Sequence, residues 1–453
     1  MATTLRAGAW KTDITAPLHV PYLGFDPRQA LFEGIHDPLF ARAAVLATDD
    51  GAVGMLSADA LGLSRDLLGP ARDFIHHIRA RVTQETGLPH ECILLAATHA
   101  HSTPETYGIT RIWEREDCRA WLLTFAEQLA DALILAWRDM RPATLRAGSA
   151  ELAGLGGNRR MKDAQGRLFS AKRKPEDAEI VDPGAVDTEL GAMILEREGS
   201  GPIVIANYAC HPVTVQAQPL VSADFPGRAT QIVEDTLGDG SCCLFLQGAS
   251  GDINPIGDAS GDWRDVETYG LMLAGGILEA VGNARMAEAQ REPALKGSKQ
   301  SIQVPARPAP SVEDARAALE TAELRLSTTP GGSVDHAAAY GDARRWRETY
   351  RLSLFGQNPV AVELQALRIG DTALAAFPGE LFCGLGLRTK AESPARQTMI
   401  AECSNGCVGY LAPESAWDDG GYEVGEGAWC RVGRGGPERM VACALEQLRG
   451  VFE

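Results

Sequence analysis

Two apolar runs of the chain end in histidine. The run 94–97 leads through a threonine into His99 and His101, and the run 203–209 leads through a cysteine into His211. In an α/β sheet the strand ends open onto the ligand crevice, so imidazoles at two such ends can reach the same small volume. We therefore predict a metal site there. The alternative is that the rings only hydrogen-bond to the backbone.

A carboxylate follows a third apolar run. Residues 374–377 precede a Pro-Gly turn and then Glu380. Two histidines and a glutamate form a hydrolytic zinc set, because three protein ligands leave one position for water. Zn²⁺ held by such a set would lower the pKa of that water towards about 7 and so supply the nucleophile. The alternative is that Glu380 is a solvated turn residue.

A glycine-rich segment, residues 247–255, follows the apolar run 243–246, so we expect its backbone to approach a substrate closely. The segment matches neither a dinucleotide fingerprint nor a phosphate loop. Ser250 lacks the Gly-x-Ser-x-Gly frame, which argues against a serine nucleophile. Asp224 and Asp252 are candidates to hold a ligand imidazole in the correct tautomer, with turn or cap roles as the alternative.

The elements that must position these residues follow from the periodicity of the sequence. Buried strands are predicted at 43–47, 53–57, 92–97, 203–209, 243–246, 360–369 and 372–377. Helices are predicted at 66–85, 116–138, 228–237 and 265–287, with a final amphipathic helix in the tail from Gly435. Residues 292–307 are predicted to be a connection or an edge strand. This alternation predicts an α/β fold with a mixed central sheet flanked by helices.

Two further helical patterns lie late in the chain. They cover residues 311–326 and 336–352 and are joined by a Thr-Pro-Gly-Gly segment at 329–332. The first pattern begins with a serine N-cap followed by acidic residues in the first turn. We predict an inserted helical hairpin at 305–355 within a single hydrolase domain that spans residues 1–453.

The composition and charge of the chain limit which binding partners and which cellular compartment we expect. The chain has 453 residues and a formal net charge of −17, which disfavours binding to nucleic acid and to anionic membrane surfaces. It has no apolar N-terminal segment and no long uninterrupted apolar stretch, so we expect a cytoplasmic protein without stable membrane insertion. The ten cysteines are expected to be reduced and buried. The expected partner is a small-molecule substrate, and a homo-oligomer is compatible with the sequence.

Several segments, in their joint order, resemble the neutral/alkaline, non-lysosomal ceramidase family. Residues 11–17, Lys-Thr-Asp-Ile-Thr-Ala-Pro, and residues 34–43 resemble the N-terminal signature of that family. Residues 98–102, Thr-His-Ala-His-Ser, resemble its Thr-His-Thr-His-Ser-Gly-Pro box. The resemblance extends to about Glu426. It implies a ceramidase-like catalytic domain without the C-terminal β-sandwich of the family.

The resemblance also implies roles for individual residues. It makes four residues the zinc ligands: His99, His211, Glu380 and Tyr410. It makes three others the groups that hold the scissile amide and the acyl product: His101, Arg159 and Tyr422. His101 is the first candidate to protonate the leaving amine, because imidazole titrates near neutral pH. The implied activity is that of a zinc-dependent amidohydrolase, in which zinc-bound water attacks an N-acyl amide.

One position departs from the family pattern. Asn254 replaces the serine that contacts the sphingoid head group. Together with the missing sandwich domain, this points away from membrane ceramide and towards a small or medium soluble N-acyl substrate, with Asn254 setting the choice of substrate. A role in lipid metabolism is still compatible with the resemblance. Two other readings stay open: an ester or lactone hydrolase that uses the same metal-activated water, and a non-catalytic binding protein of the same fold.

Overall fold

Two β-sheets lie face to face at the centre of the computed structural model, which describes residues 5–22, 30–356 and 358–453. The first sheet has eight strands: β1 Arg6–Asp13, β2 Phe40–Ala47, β3 Ala52–Ala58, β4 Ile93–Ala97, β5 Arg141–Glu151, β6 Glu189–Arg197, β7 Ile203–Tyr208 and β8 Cys242–Gln247. The second sheet has four strands: β9 Leu295–Val304, β10 Val360–Ile369, β11 Thr372–Ala376 and β12 Gln397–Ala401. Short strands accompany them at Pro21–Tyr22, Ala30–Leu31, Gly34–Ile35, Gly156–Asn158, Met161–Asp163, Leu168–Phe169, Ile180–Asp182, Leu220–Val221, Ile253–Pro255, Glu380–Leu381 and Tyr410–Leu411.

Both sheets mix parallel and antiparallel pairing. The first has the order β8-β7-β6-β5-β1-β2-β3-β4, and its two outermost pairs, β8 with β7 and β3 with β4, are parallel. The second has the order β9-β10-β11-β12, with β11 and β12 parallel. Three of the four predicted metal ligands follow a strand of a parallel pair: His99 follows β4, His211 follows β7 and Glu380 follows β11. The carboxyl ends of these pairs are where α/β folds place ligands.

Strands β2, β3, β4, β7 and β8 of the first sheet are buried on both faces, which explains the apolar runs in the sequence. In β2, Ala43 and Val45 belong to a core under helices, whereas Ala44 and Leu46 belong to the core between the two sheets. Successive side chains of a strand point to opposite faces, so burial of both faces favours apolar residues at most positions.

Helices cover the outer faces of both sheets. The helices are α1 Phe74–Thr86, α2 Glu116–Arg138, α3 Asp224–Leu237, α4 Trp263–Met286, α5 Val312–Thr328, α6 Val334–Ser353, α7 Cys383–Glu392, α8 Glu414–Asp419 and α9 Gly436–Phe452. Four short 3₁₀ turns occur at Arg65–Leu68, His90–Cys92, Ile112–Glu114 and Ala171–Arg173. Helices α1 to α4 pack on the eight-stranded sheet, and α7 and α9 pack on the four-stranded sheet. The predicted fold class, a mixed central sheet flanked by helices, is therefore confirmed.

Helix α2 is the one helix in the described part of the chain that is long and apolar enough to cross a membrane by length and composition. More than half of its apolar window is buried inside the protein. Its buried residues, among them Leu122, Phe125 and Leu129, pack in the same core as β2, β3 and β4. Such burial is typical of the core helix of a layered fold.

Several element boundaries differ from the sequence-based expectation. The predicted helix 66–85 is divided: a 3₁₀ turn precedes Gly69, whose φ of 87° interrupts the helical path, and α1 begins only at Phe74. Strands β1, β5, β6 and β12 were not predicted. In β5 buried and exposed residues mix, so the strand has neither a continuous apolar run nor a clean alternation. Of the two structures expected for 292–307, the edge strand is the one observed, as β9.

Helices α5 and α6 pack against each other after β9. The hydroxyl of Thr349 on α6 donates a hydrogen bond to the carbonyl of Glu426, which fixes this helix to the loop that carries Tyr422. The α6 residues Arg344 and Arg351 line a cavity of about 1000 Å³. Helix α6 thus contributes part of the wall of that cavity.

Candidate metal centre and its cavity

Three strand ends deliver the side chains of a compact cluster. His99 lies two residues after β4 with φ of 66°, a left-handed conformation that is uncommon for a residue other than glycine. His211 follows β7 and precedes a proline. Glu380 begins a short strand that pairs in parallel with Tyr410–Leu411. The uncommon backbone at His99 is consistent with a side chain whose orientation is set by function.

The polar atoms of these three residues converge on one point. Nε2 of His99 lies 3.1 Å from Nε2 of His211, and the latter lies 3.1 Å from Oε2 of Glu380. The third side of the triangle, from His99 Nε2 to Glu380 Oε2, is 3.5 Å. All three side chains are almost completely buried. Ligands about 2.0–2.1 Å from a tetrahedral zinc ion stand roughly 3.3 Å apart, so the triangle has the size of a metal site.

The second nitrogen of each ring fixes the tautomer. Nδ1 of His99 lies 2.7 Å from the carbonyl oxygen of Leu61, and Nδ1 of His211 lies 2.6 Å from the carbonyl oxygen of Ser250. Each Nδ1–H therefore donates to the backbone, and the two Nε2 lone pairs face each other. Two such lone pairs in contact need a cation between them. The residues present thus fit a metal ion.

The electrostatics of the cluster lead to the same conclusion. Burial lowers the pKa of His99, but the carboxylate of Glu380 outweighs it and raises that pKa to about 9. Burial lowers the pKa of His211 to about 4. Although burial opposes ionisation of Glu380, the two imidazoles hold its pKa well below the usual range. The cluster therefore contains one anion, the carboxylate of Glu380, and it binds a positive charge. Either a proton or a metal ion can supply that charge.

Neither aspartate proposed to orient a ligand ring does so. Asp224 accepts hydrogen bonds from the backbone N–H groups of Val215 and Phe225. Asp252 accepts one from the backbone N–H of Cys383 and one from the side-chain amide of Asn158. The expectation was wrong because backbone carbonyls perform that function. Asp224 instead supports the chain around the start of α3, and Asp252 joins the glycine-rich segment to the start of α7.

His101 joins the same group. Its Nε2 lies 3.3 Å from Nε2 of His99, and the ligand atoms of His99, His101 and His211 all lie within 4.8 Å of one another. His101 is only partly buried and lines the cavity. Its position suits either a further metal ligand or a proton carrier beside the metal.

Two residues that support the cluster were not found from the sequence. The hydroxyl of Tyr107 donates a 2.5 Å hydrogen bond to Oε1 of Glu380, which leaves Oε2 for the histidines. Glu402 accepts hydrogen bonds from the N–H and hydroxyl of Ser250 and from the N–H of Leu381. Burial raises the pKa of Glu402 to about 8. The only sequence signal for either residue is a polar side chain near an apolar strand end.

The remaining predicted site residues surround the cluster. Tyr410 is buried beside Glu380, and the guanidinium of Arg159 lies 5.3 Å from the centre of its ring. Tyr422 is 49% exposed. Its ring meets that of Tyr410 edge-on at 5.8 Å and stacks on Trp429 at 4.8 Å. All these rings and the guanidinium thus line the same cavity as His99 and Glu380.

Asn254 does not offer its amide freely to a substrate. Its Oδ1 accepts a hydrogen bond of 3.1 Å from Nη1 of Arg159, and its Nδ2 donates one of 2.5 Å to Oδ1 of Asp258. Arg159 also donates to Glu423 and to the carbonyl of Gly251. Asn254 therefore connects the guanidinium near the cluster to a carboxylate farther along the cavity.

The cluster lies at a cavity of about 1000 Å³. Apolar and aromatic side chains line much of its wall, including Leu61, Ile109, Phe169 and Trp429. Small-molecule sites typically have volumes of about 300–1000 Å³ and a mainly apolar lining with a few polar groups. The cavity is thus large enough for an acylated small molecule.

The fold is similar to that of two solved structures, a neutral ceramidase from Pseudomonas aeruginosa and a ceramidase complexed with C2. The first aligns with a TM-score of 0.71 at 18% identity, over 99% of this chain and 74% of that chain. The second aligns with a TM-score of 0.70 at 17% identity, over 98% of this chain and 74% of that chain. No protein-family model and no curated protein matches the sequence. The ceramidase-like fold expected from the motifs is confirmed.

Proposed function

We propose that this protein is a metal-dependent hydrolase of carbon–nitrogen bonds that cleaves N-acyl amides, with Zn²⁺ as its metal. One observation carries the proposal: Nε2 of His99, Nε2 of His211 and Oε2 of Glu380 form a buried triangle with sides of 3.1 to 3.5 Å at the cavity wall. The likeness of the fold to ceramidases supports an amide as the scissile bond. Nitrogen and carboxylate ligands in this number suit zinc.

Three side chains would hold the metal, and their neighbours keep them in position. His99 and His211 present Nε2 because their Nδ1–H groups are fixed on backbone carbonyls. Glu380 presents Oε2 because Tyr107 binds its other oxygen. Tyr410 is the weaker, fourth candidate ligand. A zinc ion bound there would lower the pKa of a water ligand to about 7 and so provide a nucleophile at neutral pH.

The cavity residues supply the proton transfer and the oxyanion contacts. His101 faces the cavity next to His99, where its imidazole can carry a proton from the attacking water to the nitrogen of the leaving amine. Arg159 and Tyr422 lie beside Tyr410, where an N–H and a hydroxyl can donate hydrogen bonds to the carbonyl oxygen and then to the product carboxylate. Apolar walls exclude water from the acyl chain.

Metal analysis and an amide assay on the same preparations test this function. We expect about one zinc per chain in the wild type. The variants His99→Ala, His211→Ala and Glu380→Gln should each lose both metal and amide hydrolysis. His76→Ala is the matched control, because His76 is exposed on α1 and lies outside the cavity, and it should retain both. A metal-free protein with full activity would overturn the proposal.

Two further variants separate the functions within the cluster. His101→Ala should retain zinc and lose turnover if His101 carries the proton, whereas loss of zinc would make it a ligand. Tyr410→Phe should lower activity more than zinc content, since three stronger ligands are still present. Each N-acyl amide should be assayed beside its matched ester, because faster cleavage of every ester would favour an esterase over an amidase.

A further inference from the structure

The charge of the cavity contrasts with that of the whole protein. The chain carries 60 acidic residues against 43 lysines and arginines. Yet among the described residues six arginines and only four carboxylates line the cavity, and no lysine does. A metal dication would add to this positive excess. A cleft lined by one sign of charge concentrates ligands of the opposite sign.

At the inner end of the cavity, two guanidiniums share one carboxylate. Nε of Arg159 lies 2.9 Å from Oε1 of Glu423, and Nη1 of Arg160 lies 2.6 Å from its Oε2. All three side chains are mostly buried. The remaining contacts of the two arginines are to neutral groups, such as Asn254 and the carbonyl of Gly420. One positive charge is thus left beside the metal cluster, where a product carboxylate would form.

At the outer end of the cavity, Arg173 shares the carboxylate of Asp258 with other groups. Its Nε lies 3.4 Å from Oδ2 of Asp258. That carboxylate also accepts the 2.5 Å hydrogen bond from Asn254 and a 3.4 Å contact from the hydroxyl of Ser170. Arg173 is 77% exposed at the cavity opening. The other arginine of this segment, Arg167, is by contrast held by Asp163 and Asp177.

We propose that the substrate is an amide that carries a carboxylate in addition to its scissile bond, and that Arg173 binds this carboxylate at the cavity opening. The proposal rests on the amide-hydrolase function proposed above. Leu168, Phe169 and Pro175 line the cavity on the same segment and offer apolar surface to the rest of the molecule. An N-acyl amino acid has this chemistry: an apolar acyl chain, an amide and a carboxylate.

Three amides of equal acyl length test the charge preference: N-octanoylglycine, N-octanoylglycinamide and N-octanoylethylenediamine, which are anionic, neutral and cationic at pH 7. We expect kcat/KM to be highest for the anion, by about tenfold over the neutral amide, and lowest for the cation. The preference should weaken as salt is added, because exposed charges are screened. Equal rates for all three, or a preference for the cation, would overturn the proposal while leaving the amidase function intact.

Substitution of Arg173 tests where the carboxylate of the substrate binds. Arg173→Ala should reduce the preference for N-octanoylglycine over N-octanoylglycinamide to about twofold or less, since a single charge-assisted contact is lost. The control Arg264→Ala removes another exposed arginine that pairs with one aspartate outside the cavity, and it should leave the preference unchanged. An unchanged preference in Arg173→Ala would place the carboxylate elsewhere and refute the assignment.

A binding measurement keeps the inference testable even if amides are not hydrolysed. N-(octylsulfonyl)glycine and its carboxamide resemble the substrate but hold a sulfonamide in place of the scissile amide. Calorimetric titration should give tighter binding of the carboxylate, by about tenfold, and Arg173→Ala should abolish the difference. Failure of all amide assays with this binding difference present would refute the proposed reaction and support the anion site. Equal binding of both compounds would refute the site.

Discussion

The hydrogen bond from Tyr107 to Glu380 provides a test of whether the protein positions Glu380 as a metal ligand. Tyr107→Phe removes one buried oxygen and keeps the ring, so packing changes little. The lost contact is a 2.5 Å bond from a hydroxyl to a buried carboxylate. Hydrogen bonds to charged groups contribute about 1.5–3 kcal/mol, which corresponds to roughly 10- to 150-fold in affinity.

We expect the dissociation constant for zinc to rise in Tyr107→Phe by about 10- to 100-fold, as for other groups that orient a metal ligand. Competition with a chromogenic chelator measures this constant directly. At saturating zinc the turnover number should fall less than the affinity does, because the ligands themselves are unchanged. The amide assay at several zinc concentrations separates the two effects.

Tyr208→Phe is the matched control. The hydroxyl of Tyr208 is buried and donates a 2.8 Å hydrogen bond to the carbonyl of Leu152, away from the cluster. This variant loses the same group and should lose stability without losing zinc affinity. If Tyr107→Phe bound zinc as tightly as the wild type, or if both variants lost affinity equally, the reasoning that Tyr107 fixes Glu380 would be refuted.

Three further predictions concern buried charges. Glu423→Gln leaves two guanidiniums without their carboxylate and should lower the free energy of unfolding by about 3–5 kcal/mol in urea titrations. Glu402→Leu leaves the N–H groups of Ser250 and Leu381 unpaired, and each unpaired group costs about 1–3 kcal/mol of stability. Glu402→Gln keeps an acceptor, so only the leucine variant should melt at a clearly lower temperature. Burial raises the pKa of Asp224 to about 6, so the folded state binds its proton more tightly than the unfolded state does. The stability that this group contributes is complete below about pH 4 and is lost as pH rises through 6, by about 3 kcal/mol. In urea titrations at about pH 4 to 7, the free energy of unfolding of Asp224→Asn should lack this dependence on pH.

The sequence predicted the elements that carry the two histidines and the glutamate of the cluster, because their signal is local. Strands β4 and β7 are mainly apolar runs, and a histidine follows each of them within three residues. Strand β5 was missed because its side chains are partly exposed and do not alternate cleanly. Strand β6 was also missed although almost all of it is buried, so uniform burial makes a strand easier to predict but does not ensure that it is recognised.

The residues that support the cluster could not be predicted, because their contacts join distant parts of the sequence. Tyr107 meets Glu380 across 273 positions of sequence, and Glu402 meets Ser250 across 152. The groups that fix the histidine tautomers are backbone carbonyls, which every residue has. Asp224 and Asp252 were therefore reasonable candidates by residue type, and only tertiary contacts could exclude them.

Asn254 links the metal cluster to the proposed anion site. A single side chain that joins a guanidinium to a carboxylate must accept a hydrogen bond at one end and donate one at the other. An amide can do this over the span between them, whereas a short hydroxyl cannot. Asn254 accepts from Arg159 and donates to Asp258, and Asp258 is the carboxylate that Arg173 shares. The amide engages Oδ1 of Asp258, and Oδ2 is the oxygen that contacts Arg173. We therefore expect Asn254 to influence the choice of substrate through Arg159 and Asp258.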